Sequence, residues 1–277
     1  MSGDTRTTVR LVKAQALGND FLLHAVDRLP GAEAAPLARR LCDRHRGVGG
    51  DGLMCVEATG AGARTRLFNA DGGIAEVSGN GVRCVAAWLA RQRGLVPGGS
   101  LTIETDAGAR PLTLVARDAG RWTFRAAMGV PRDLREVDLD VEGRPVRVVT
   151  LDMGNPQCVV LGPATDARLH GLAGAIARHP HFPAGTNVEL VDVRTADRLE
   201  ILIWERGVGP TEASGTGACA SAVAAARFGG ASRVADVASP GGVQRVEWTD
   251  EGVWLTGWAE LVAAVEAWLP DTREQGA

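Results

Sequence analysis

Two similar glycine-containing turns place the strongest constraint on the fold of this chain. The first is Ser78-Gly79-Asn80-Gly81, preceded by Val77, and the second is Ser214-Gly215-Thr216-Gly217. Each turn leads into a run with apolar residues at helical spacing, namely Val82, Val85, Ala86 and Leu89 in the first run and Cys219, Ala222, Val223 and Ala226 in the second. A helix N-terminus has unpaired N–H groups and a positive dipole end, so it binds anions without a lysine or arginine. The pair therefore predicts two helix ends that converge on one anionic group.

Other polar turn residues repeat with the same spacing as the two turns. Asn155 of Met-Gly-Asn-Pro lies 136 positions after Asn19 of Leu-Gly-Asn-Asp. Three further pairs have this separation: Asp51 and Asn187, Asn69 and Glu205, and Ser78 and Ser214. The period is too long for a solenoid, so it indicates an internal duplication into two homologous domains. We expect an α+β fold, with a curved, mostly antiparallel sheet around a helix in each domain and a site in the cleft between them.

The order of predicted elements suggests where the domains divide. We expect an N-terminal domain over residues 9–130 and a C-terminal domain over residues 131–269, with a C-terminal segment that can return to the first domain. The polar, strand-prone stretch near 128–150 is the predicted crossover. Helices are predicted over 34–43 and 82–92, and the predicted strands are 9–13, 21–26, 53–57, 64–69, 100–105, 111–116, 121–126 and 200–204.

Composition excludes several classes of function. The net charge of −3 argues against binding to nucleic acid or acidic membranes, because both need concentrated Lys and Arg. No apolar run approaches the ~20 residues of a membrane-spanning helix, and the polar residues 1–10 lack the apolar core of a signal peptide. The five cysteines form no C-x-x-C pair, so we expect buried thiols and a cytoplasmic protein.

Two further patterns argue against a bound cofactor. The run from Gly47 to Gly52 matches G-x-G-x-x-G, but the predicted helix precedes it and a strand follows, which is the reverse of the dinucleotide-binding order. The five histidines show no metal-ligand spacing with acids or cysteines. We therefore expect neither a metal nor an organic cofactor.

The candidate site consists of the polar and glycine residues at the repeated turns. They are Asn19, Asn69, Ser78, Gly79, Asn80, Asn155, Asn187, Glu205, Arg206, Ser214, Gly215 and Thr216. Taken singly, each asparagine is typical of a turn or cap, and each serine of a helix N-cap. Taken together they predict a polar site for an amino acid or similar zwitterion, with Arg206 for a carboxylate and Glu205 for an ammonium group.

At these residues the chain resembles diaminopimelate epimerases, from about residue 9 to residue 269. The motifs that carry the resemblance are Leu17-Gly18-Asn19-Asp20-Phe21, Phe68-Asn69-Ala70-Asp71-Gly72, Ser78-Gly79-Asn80-Gly81-Val82-Arg83-Cys84, Met153-Gly154-Asn155-Pro156, Gly185-Thr186-Asn187-Val188, Glu205-Arg206-Gly207 and Gly215-Thr216-Gly217-Ala218-Cys219. The resemblance implies two domains related by a pseudo-dyad, an interdomain site and a homodimer. It also implies cofactor-independent chemistry, in which one residue removes the Cα proton and another returns one on the opposite face.

The same resemblance implies roles for the candidate residues. Gly79, Asn80, Gly215 and Thr216 would cradle the reacting carboxylate. The rest of the substrate, including a distal amino-acid end, would be held by Asn19, Asn69, Asn155, Asn187 and Arg206.

This chain departs from the family at the positions that carry the chemistry. Ser78 and Ser214 match the family's two acid–base cysteines, and Gln157 matches its histidine. A thiol titrates near 8.5 and a helix N-terminus lowers that value, whereas a hydroxyl is a much weaker acid. Cys84 and Cys219 lie more than a helical turn beyond the anion-binding ends, so they are poor substitutes.

Three interpretations are open at this stage. The first is an enzyme with altered, cofactor-free chemistry (isomerisation, elimination or cyclisation) on an amino-acid-like substrate. In it Glu205 is the best proton acceptor, and Ser78, Ser214 and Gln157 are further candidate catalytic residues. The second is a diaminopimelate epimerase of lysine biosynthesis (LL to meso) that carries Cys-to-Ser changes. The third is a non-catalytic homologue that binds an amino acid.

Overall fold

The computed structural model describes residues 7–75 and 78–269; Val77, which precedes the first turn, lies outside them. The strands in the first half are β1 (Thr8–Ala16), β2 (Asn19–Ala25), β3 (Gly52–Ala58), β4 (Gly62–Asn69), β5 (Ile74–Ala75), β6 (Ser100–Thr105), β7 (Gly108–Asp118) and β8 (Arg121–Gly129). The second half contains β9 (Arg132–Val141), β10 (Arg144–Asp152), β11 (Pro156–Leu161), β12 (Asn187–Thr195), β13 (Arg198–Glu205), β14 (Gly209–Thr211), β15 (Val234–Ser239), β16 (Gly242–Thr249) and β17 (Gly252–Trp268).

The helices lie between these strands. They are α1 (Ala35–Cys42), α2 (Gly79–Arg93), α3 (Asp166–Arg168), α4 (Gly174–Ala177) and α5 (Gly215–Phe228), with a 3₁₀ turn at Ala32–Ala34 and a π-helical turn at Leu169–Ala173. The predicted helices over 34–43 and 82–92 are confirmed, although α2 begins three residues earlier. The glycine-rich run ahead of β3 follows α1, so the helix–loop–strand order that argued against a dinucleotide fingerprint is confirmed.

The two halves share one pattern of strand pairing. In the first half β2 and β3 are parallel, β3 and β4 are antiparallel, and β4 and β6 are parallel. In the second half β11, β12, β13 and β15 pair in the same sequence of directions. The long helix of each half, α2 or α5, is buried against its own sheet in a separate apolar core. The predicted α+β fold, with a curved sheet around a helix in each of two pseudo-dyad-related domains, is confirmed.

The strand β17 joins the two halves. Its first part pairs antiparallel with β8, from Val253 opposite Gly129 to Glu260 opposite Arg121. Its last part pairs with β1, ending with Trp268 opposite Thr8. The strand after β8 in the chain, β9, pairs instead with β10. We propose that the domains divide as the sequence suggests, with the end of β17 completing the sheet of the first domain.

One predicted correspondence between the halves is wrong by one residue. Gly52 pairs with Phe21 in the first half, whereas Asn187 pairs with Gln157 in the second, and Gln157 lies 136 positions after Phe21. Asn187 therefore corresponds to Gly52 and not to Asp51. The reason is that the connection between the two parallel strands is one residue shorter in the second half. The Asp51 carboxylate instead accepts hydrogen bonds from Asn19 Nδ2 at 2.6 Å and from the backbone N of Asp20 at 3.1 Å.

The cysteines and the hydropathy pattern behave as expected from composition. All five cysteines are free and buried, as predicted. Within residues 7–75 and 78–269, no helix combines the length and the apolarity needed to cross a membrane.

Candidate functional site

The two glycine-containing turns form the capped N-termini of α2 and α5. Ser78 has extended backbone geometry, and its Oγ accepts a hydrogen bond from Gly81 N at 3.1 Å. Ser214 has the same geometry, and its Oγ accepts from Gly217 N at 3.0 Å. The N-cap roles predicted for both serines are confirmed. Because each Oγ accepts from the backbone, each hydroxyl can still donate its proton, to a ligand or, for Ser214, to Thr216 Oγ1.

The two helix N-termini converge, as predicted from the repeat. A β-carbon on Gly79 would lie 3.9 Å from the Cα of Gly215, and one on Gly215 would lie 3.8 Å from the Cα of Gly79. The bare first turns of α2 and α5 therefore border one space from opposite sides. Two positive dipole ends reinforce each other there, which makes this space the most favourable place for an anion.

A cavity of about 330 Å³ opens at this point. Ten of the thirteen candidate residues line it: Asn19, Ser78, Gly79, Asn80, Asn155, Asn187, Glu205, Ser214, Gly215 and Thr216. Asn69 and Arg206 line a wider, open groove beside it. Gln157 lines neither space and is buried behind Asn155. In the part of the chain that the structure describes, no group of three or more His, Cys, Asp or Glu side chains could hold a metal ion.

A directed chain of hydrogen bonds runs along the first wall of the cavity. Arg83 Nη2 donates to Asn80 Oδ1. Asn80 Nδ2 donates to Asn19 Oδ1 at 3.4 Å, and Asn19 Nδ2 donates to Asp51 Oδ2 at 2.6 Å. The chain begins at a cation and ends at a carboxylate, so it fixes the orientation of both amides.

The opposite wall has a matching chain without charged ends. Gln157 Nε2 donates to Asn155 Oδ1 at 2.6 Å, and Asn155 Nδ2 donates to Thr216 Oγ1 at 3.5 Å. The Thr216 hydroxyl lies 3.4 Å from Ser214 Oγ. Gln157 thus orients Asn155 and does not contact the cavity. It is placed to hold Asn155 in position and not to make the catalytic contact that the sequence predicts for it.

Glu205 is the acid of the cavity with the most suitable environment for proton transfer. It ends β13, is half-buried, and lines both the cavity and the open groove. Burial, together with the negative charge of Asp51, raises the pKa of its carboxyl above the usual value. A carboxyl with a raised pKa is a stronger base once ionised, which suits Glu205 to accept a proton from a bound ligand.

The cysteines of the two helices cannot take over this role. Cys84 and Cys219 are fully buried. Burial raises the pKa of each thiol to about 12. Neither thiol is ionised near neutral pH, so the expectation that they are poor substitutes for the missing acid–base cysteines is supported.

Arg206 occupies the groove rather than the cavity. Its Nη1 donates to Ala184 O at 3.1 Å, and its backbone N donates to Asn187 Oδ1 at 2.9 Å. The guanidinium is exposed, so it can meet a part of a ligand that extends out of the cavity. The backbone contact fixes the Asn187 amide, which reaches the cavity itself.

Two charged residues that sequence reasoning missed are buried beside the site. Arg83 is 1% exposed and lines the cavity, and Glu189 on β12 is fully buried. In the sequence, each is a charged residue within an otherwise apolar run, and this pattern could have identified them. A β-carbon on Gly217 would lie 2.7 Å from Glu189 Oε1, so this carboxyl lies under the first turn of α5. Both Glu189 oxygens are without a hydrogen-bond partner in the described residues.

Glu189→Gln is expected to stabilise the protein at high pH. Burial and the charge of Glu205 raise the pKa of Glu189 well above 4.5. Because this carboxyl has a higher pKa in the folded state than in the unfolded state, the protein is most stable below the unfolded-state pKa. Its stability falls as pH rises from there toward the folded-state pKa. Glutamine does not titrate, so the variant should gain at least about 1 kcal/mol at pH 8 and nothing near pH 4.5.

Denaturant unfolding at the two pH values measures this difference. Glu251→Gln, at an exposed turn, is the matched control and should change neither value. A Glu189→Gln protein that is less stable than the native one at pH 8 would show that an ionised Glu189 carboxylate stabilises the fold.

Comparison with known proteins decides the family. The diaminopimelate epimerase model matches residues 11–132 and 149–262. The diaminopimelate epimerase of Desulforudis audaxviator is 42% identical over 92% of this chain and 97% of its own length. The chloroplastic diaminopimelate epimerase of Oryza sativa subsp. japonica is 35% identical over 94% of this chain and 80% of its own length.

The chain belongs to the diaminopimelate epimerase family. Solved structures of more distant proteins share the fold of this epimerase family member. A phenazine biosynthesis protein of the PhzF family from Bacillus anthracis superposes with a TM-score of 0.71 at 17% identity, over 94% of this chain and 99% of its own. A hydroxyproline epimerase from Agrobacterium vitis gives 0.69 at 16% identity, over 96% and 94%.

Proposed function

We propose that this protein is a cofactor-independent isomerase of an amino-acid carboxylate, in which Glu205 transfers the proton and the two serines do not. The observation that supports it is the combination found in one cavity. Two helix N-termini provide a place for a carboxylate, and a half-buried carboxyl with a raised pKa borders the same space. The resemblance implies that the serine hydroxyls stand at the family's acid–base positions, and each accepts a backbone N–H.

The binding part of the proposal follows from donors around the cavity. The reacting carboxylate lies in the cavity beside the close approach of Gly79 and Gly215, where backbone N–H groups and the two serine hydroxyls can donate to it. The amide side chains of Asn19, Asn155 and Asn187 line the same cavity and hold the amino group and Cα. A longer substrate extends into the groove that Asn69 and Arg206 line.

In the proposed reaction a single group, Glu205, carries the proton that leaves Cα. The ionised Glu205 carboxylate takes the proton from Cα, and the electron pair of the broken C–H bond moves into the substrate carboxylate. The N–H groups of the two helix ends stabilise the added negative charge. The protonated Glu205 then returns the proton. Return to the same face of Cα gives exchange with unchanged configuration, and return to a second carbon conjugated with the carbanion completes an isomerisation by proton shift. Among the described residues, neither serine hydroxyl is hydrogen-bonded to a histidine or a carboxylate that would remove its proton, which argues against alkoxide catalysis.

A second candidate is a diaminopimelate epimerase whose cysteines have been replaced by serine. The observation that favours it is the symmetry of the change, since Ser78 and Ser214 cap equivalent helices and border the same cavity. In that case the binding residues are intact and only the two thiols are lacking. Cα proton exchange by the native protein, with serine at both positions, separates the two candidates, because only the first retains an acid–base group.

The test of the proposed function is exchange of the Cα proton. The native protein is incubated in D₂O with L- and D-amino acids, including LL-diaminopimelate, and loss of the Cα proton signal is followed by NMR. We expect exchange with at least one ligand that also raises the melting temperature. Ligands that raise the melting temperature without any exchange would instead establish a non-catalytic binding protein.

Gly79→Ala is expected to abolish ligand binding while leaving the fold intact. The new methyl group would meet Gly215 Cα only at an ordinary 3.9 Å, yet it would fill the space between the two helix ends. We expect the affinity for a carboxylate ligand to fall at least tenfold, about 1.4 kcal/mol. Stability should stay within about 1 kcal/mol of the native value.

Calorimetric titration and thermal unfolding check the two halves of this expectation. Gly171→Ala is the matched control, because a β-carbon there meets nothing within 4 Å and lies away from the cavity. Unchanged affinity in the Gly79→Ala protein would mean that the ligand does not lie between the helix ends.

A further inference from the structure

Arg83 is the buried cation closest to the junction of the two helix ends. It lies on the second turn of α2, and its side chain reaches across to the other domain. A β-carbon on Gly215 would lie 3.9 Å from Arg83 Nη1, and one on Gly257 would lie 3.2 Å from Arg83 Cζ. The guanidinium therefore packs between the start of α5 and β17 and borders the cavity from behind the two glycines.

No carboxylate neutralises this charge in the described residues. Arg83 Nη2 donates to the neutral Asn80 amide, and Arg83 Nε has no partner. The two titratable groups that act on it are the buried thiols of Cys84 and Cys219. Burial lowers the pKa of Arg83 to about 10, so the side chain is still protonated near neutral pH. A buried charge without a counter-ion costs several kcal/mol, which indicates that something outside the protein completes it.

The two halves of the site differ at this position. The residue 136 positions after Arg83 is Cys219, which is neutral and fully buried. Arg83 is therefore the buried guanidinium that the pair of helix ends shares, whereas Arg110 and Arg132, which also line the cavity, are not buried. In the described residues, only the first wall carries the directed chain from Arg83 through Asn80 to Asn19. The charge polarises the Asn80 amide, so that its N–H groups become better donors.

We propose that Arg83, acting through the Asn80 amide, supplies the positive charge that makes this site selective for a carboxylate. The helix ends therefore accept a carboxylate and reject a neutral carboxamide of the same shape. The inference rests on the carboxylate site of the proposed function and names what sets its charge selectivity. Arg83 is a positioning residue: it holds Asn80 and provides the field, while the ligand contacts the backbone and amide groups in front of it.

The test compares acetate with acetamide on the full chain. Thermal unfolding is measured over a range of sodium acetate concentrations at constant ionic strength. One control series replaces sodium acetate with sodium chloride, and another uses acetamide, the neutral isostere of acetate. We expect acetate alone to stabilise the native protein. Arg83→Met should weaken the apparent acetate affinity at least tenfold, and Arg83→Lys should recover most of it. Arg91→Met, on the exposed last turn of the same helix, should behave as the native protein.

The stability of the ligand-free proteins gives a second readout. If Arg83 served only to hold the fold together, its replacement would lower that stability. Removing a buried charge without a counter-ion should leave the Arg83→Met protein at least as stable as the native one. An unstable Arg83→Met protein that lysine does not restore would overturn the inference, as would equal acetate affinity in the native and Arg83→Met proteins. If acetate fails to stabilise even the native protein, the carboxylate site itself is wrong, and the inference fails with it.

Discussion

Glu205→Gln is expected to slow Cα proton exchange at least about 100-fold, the usual contribution of a positioned general base. Glutamine keeps the size and the polar contacts of the side chain but cannot accept a proton. Substrate affinity should change little, because the carboxylate of the ligand lies between the helix ends and away from the substituted oxygen. NMR exchange rates at saturating ligand measure the effect directly.

The pH dependence of the native Cα exchange rate also tests whether Glu205 is the base. Glu205 must be ionised to act as the base, and its pKa is raised by burial and by Asp51. Exchange should therefore fall as pH decreases through that raised pKa, and the fall should disappear in Glu205→Gln. Glu212→Gln, at the open groove, is the matched control. An exchange rate within threefold of native in the Glu205→Gln protein would exclude Glu205 as the base.

The double substitution Ser78→Cys with Ser214→Cys is expected to create two-base chemistry, with at least about a 100-fold gain in LL-diaminopimelate epimerisation. Both side chains would cap helix N-termini that converge on the cavity, and a helix N-terminus lowers the pKa of a thiol. The buried Arg83 charge acts in the same direction. Inversion at Cα needs a group on each face, so we expect neither single variant to reach this gain.

Chiral separation of the product follows this gain over time. Ser100→Cys, at an exposed position far from the helix ends, is the control for nonspecific thiol effects. A double variant that exchanges no Cα proton of LL-diaminopimelate would show that the substrate site has diverged from the family. Strong epimerisation would show that the substrate site still accepts diaminopimelate, which both candidates allow.

The fold and most of the site could be predicted because local chemistry determines them. A serine followed by two glycines and an apolar run specifies a capped helix start wherever it occurs, and both copies form one. The repeat then places the two starts in equivalent positions, so their convergence follows from the pseudo-symmetry. Ten of the thirteen candidate residues line the cavity for this reason.

The remaining parts depend on packing, which the sequence pattern does not reveal. Arg83 stands one residue from a predicted core position, and only the tertiary structure shows that its side chain crosses to Gly215 and Gly257. Glu189 lies in a part of β12, residues 187–191, in which every residue is buried, so alternation alone could not place its carboxyl under α5. The shift from Asp51 to Gly52 as the counterpart of Asn187 reflects a one-residue difference in connection length, which a constant offset conceals.

The central claim is that one carboxyl on one face of the substrate, and not two groups on opposite faces, transfers the proton. The most direct measurement is the isotope content of substrate recovered from D₂O before equilibrium. A single base exchanges its proton with solvent and returns a deuteron to the face from which it took the proton. We therefore predict that recovered substrate of unchanged configuration carries deuterium at Cα. Deuterium confined to the inverted product, with none in the recovered substrate, would contradict the proposal and establish two-base chemistry.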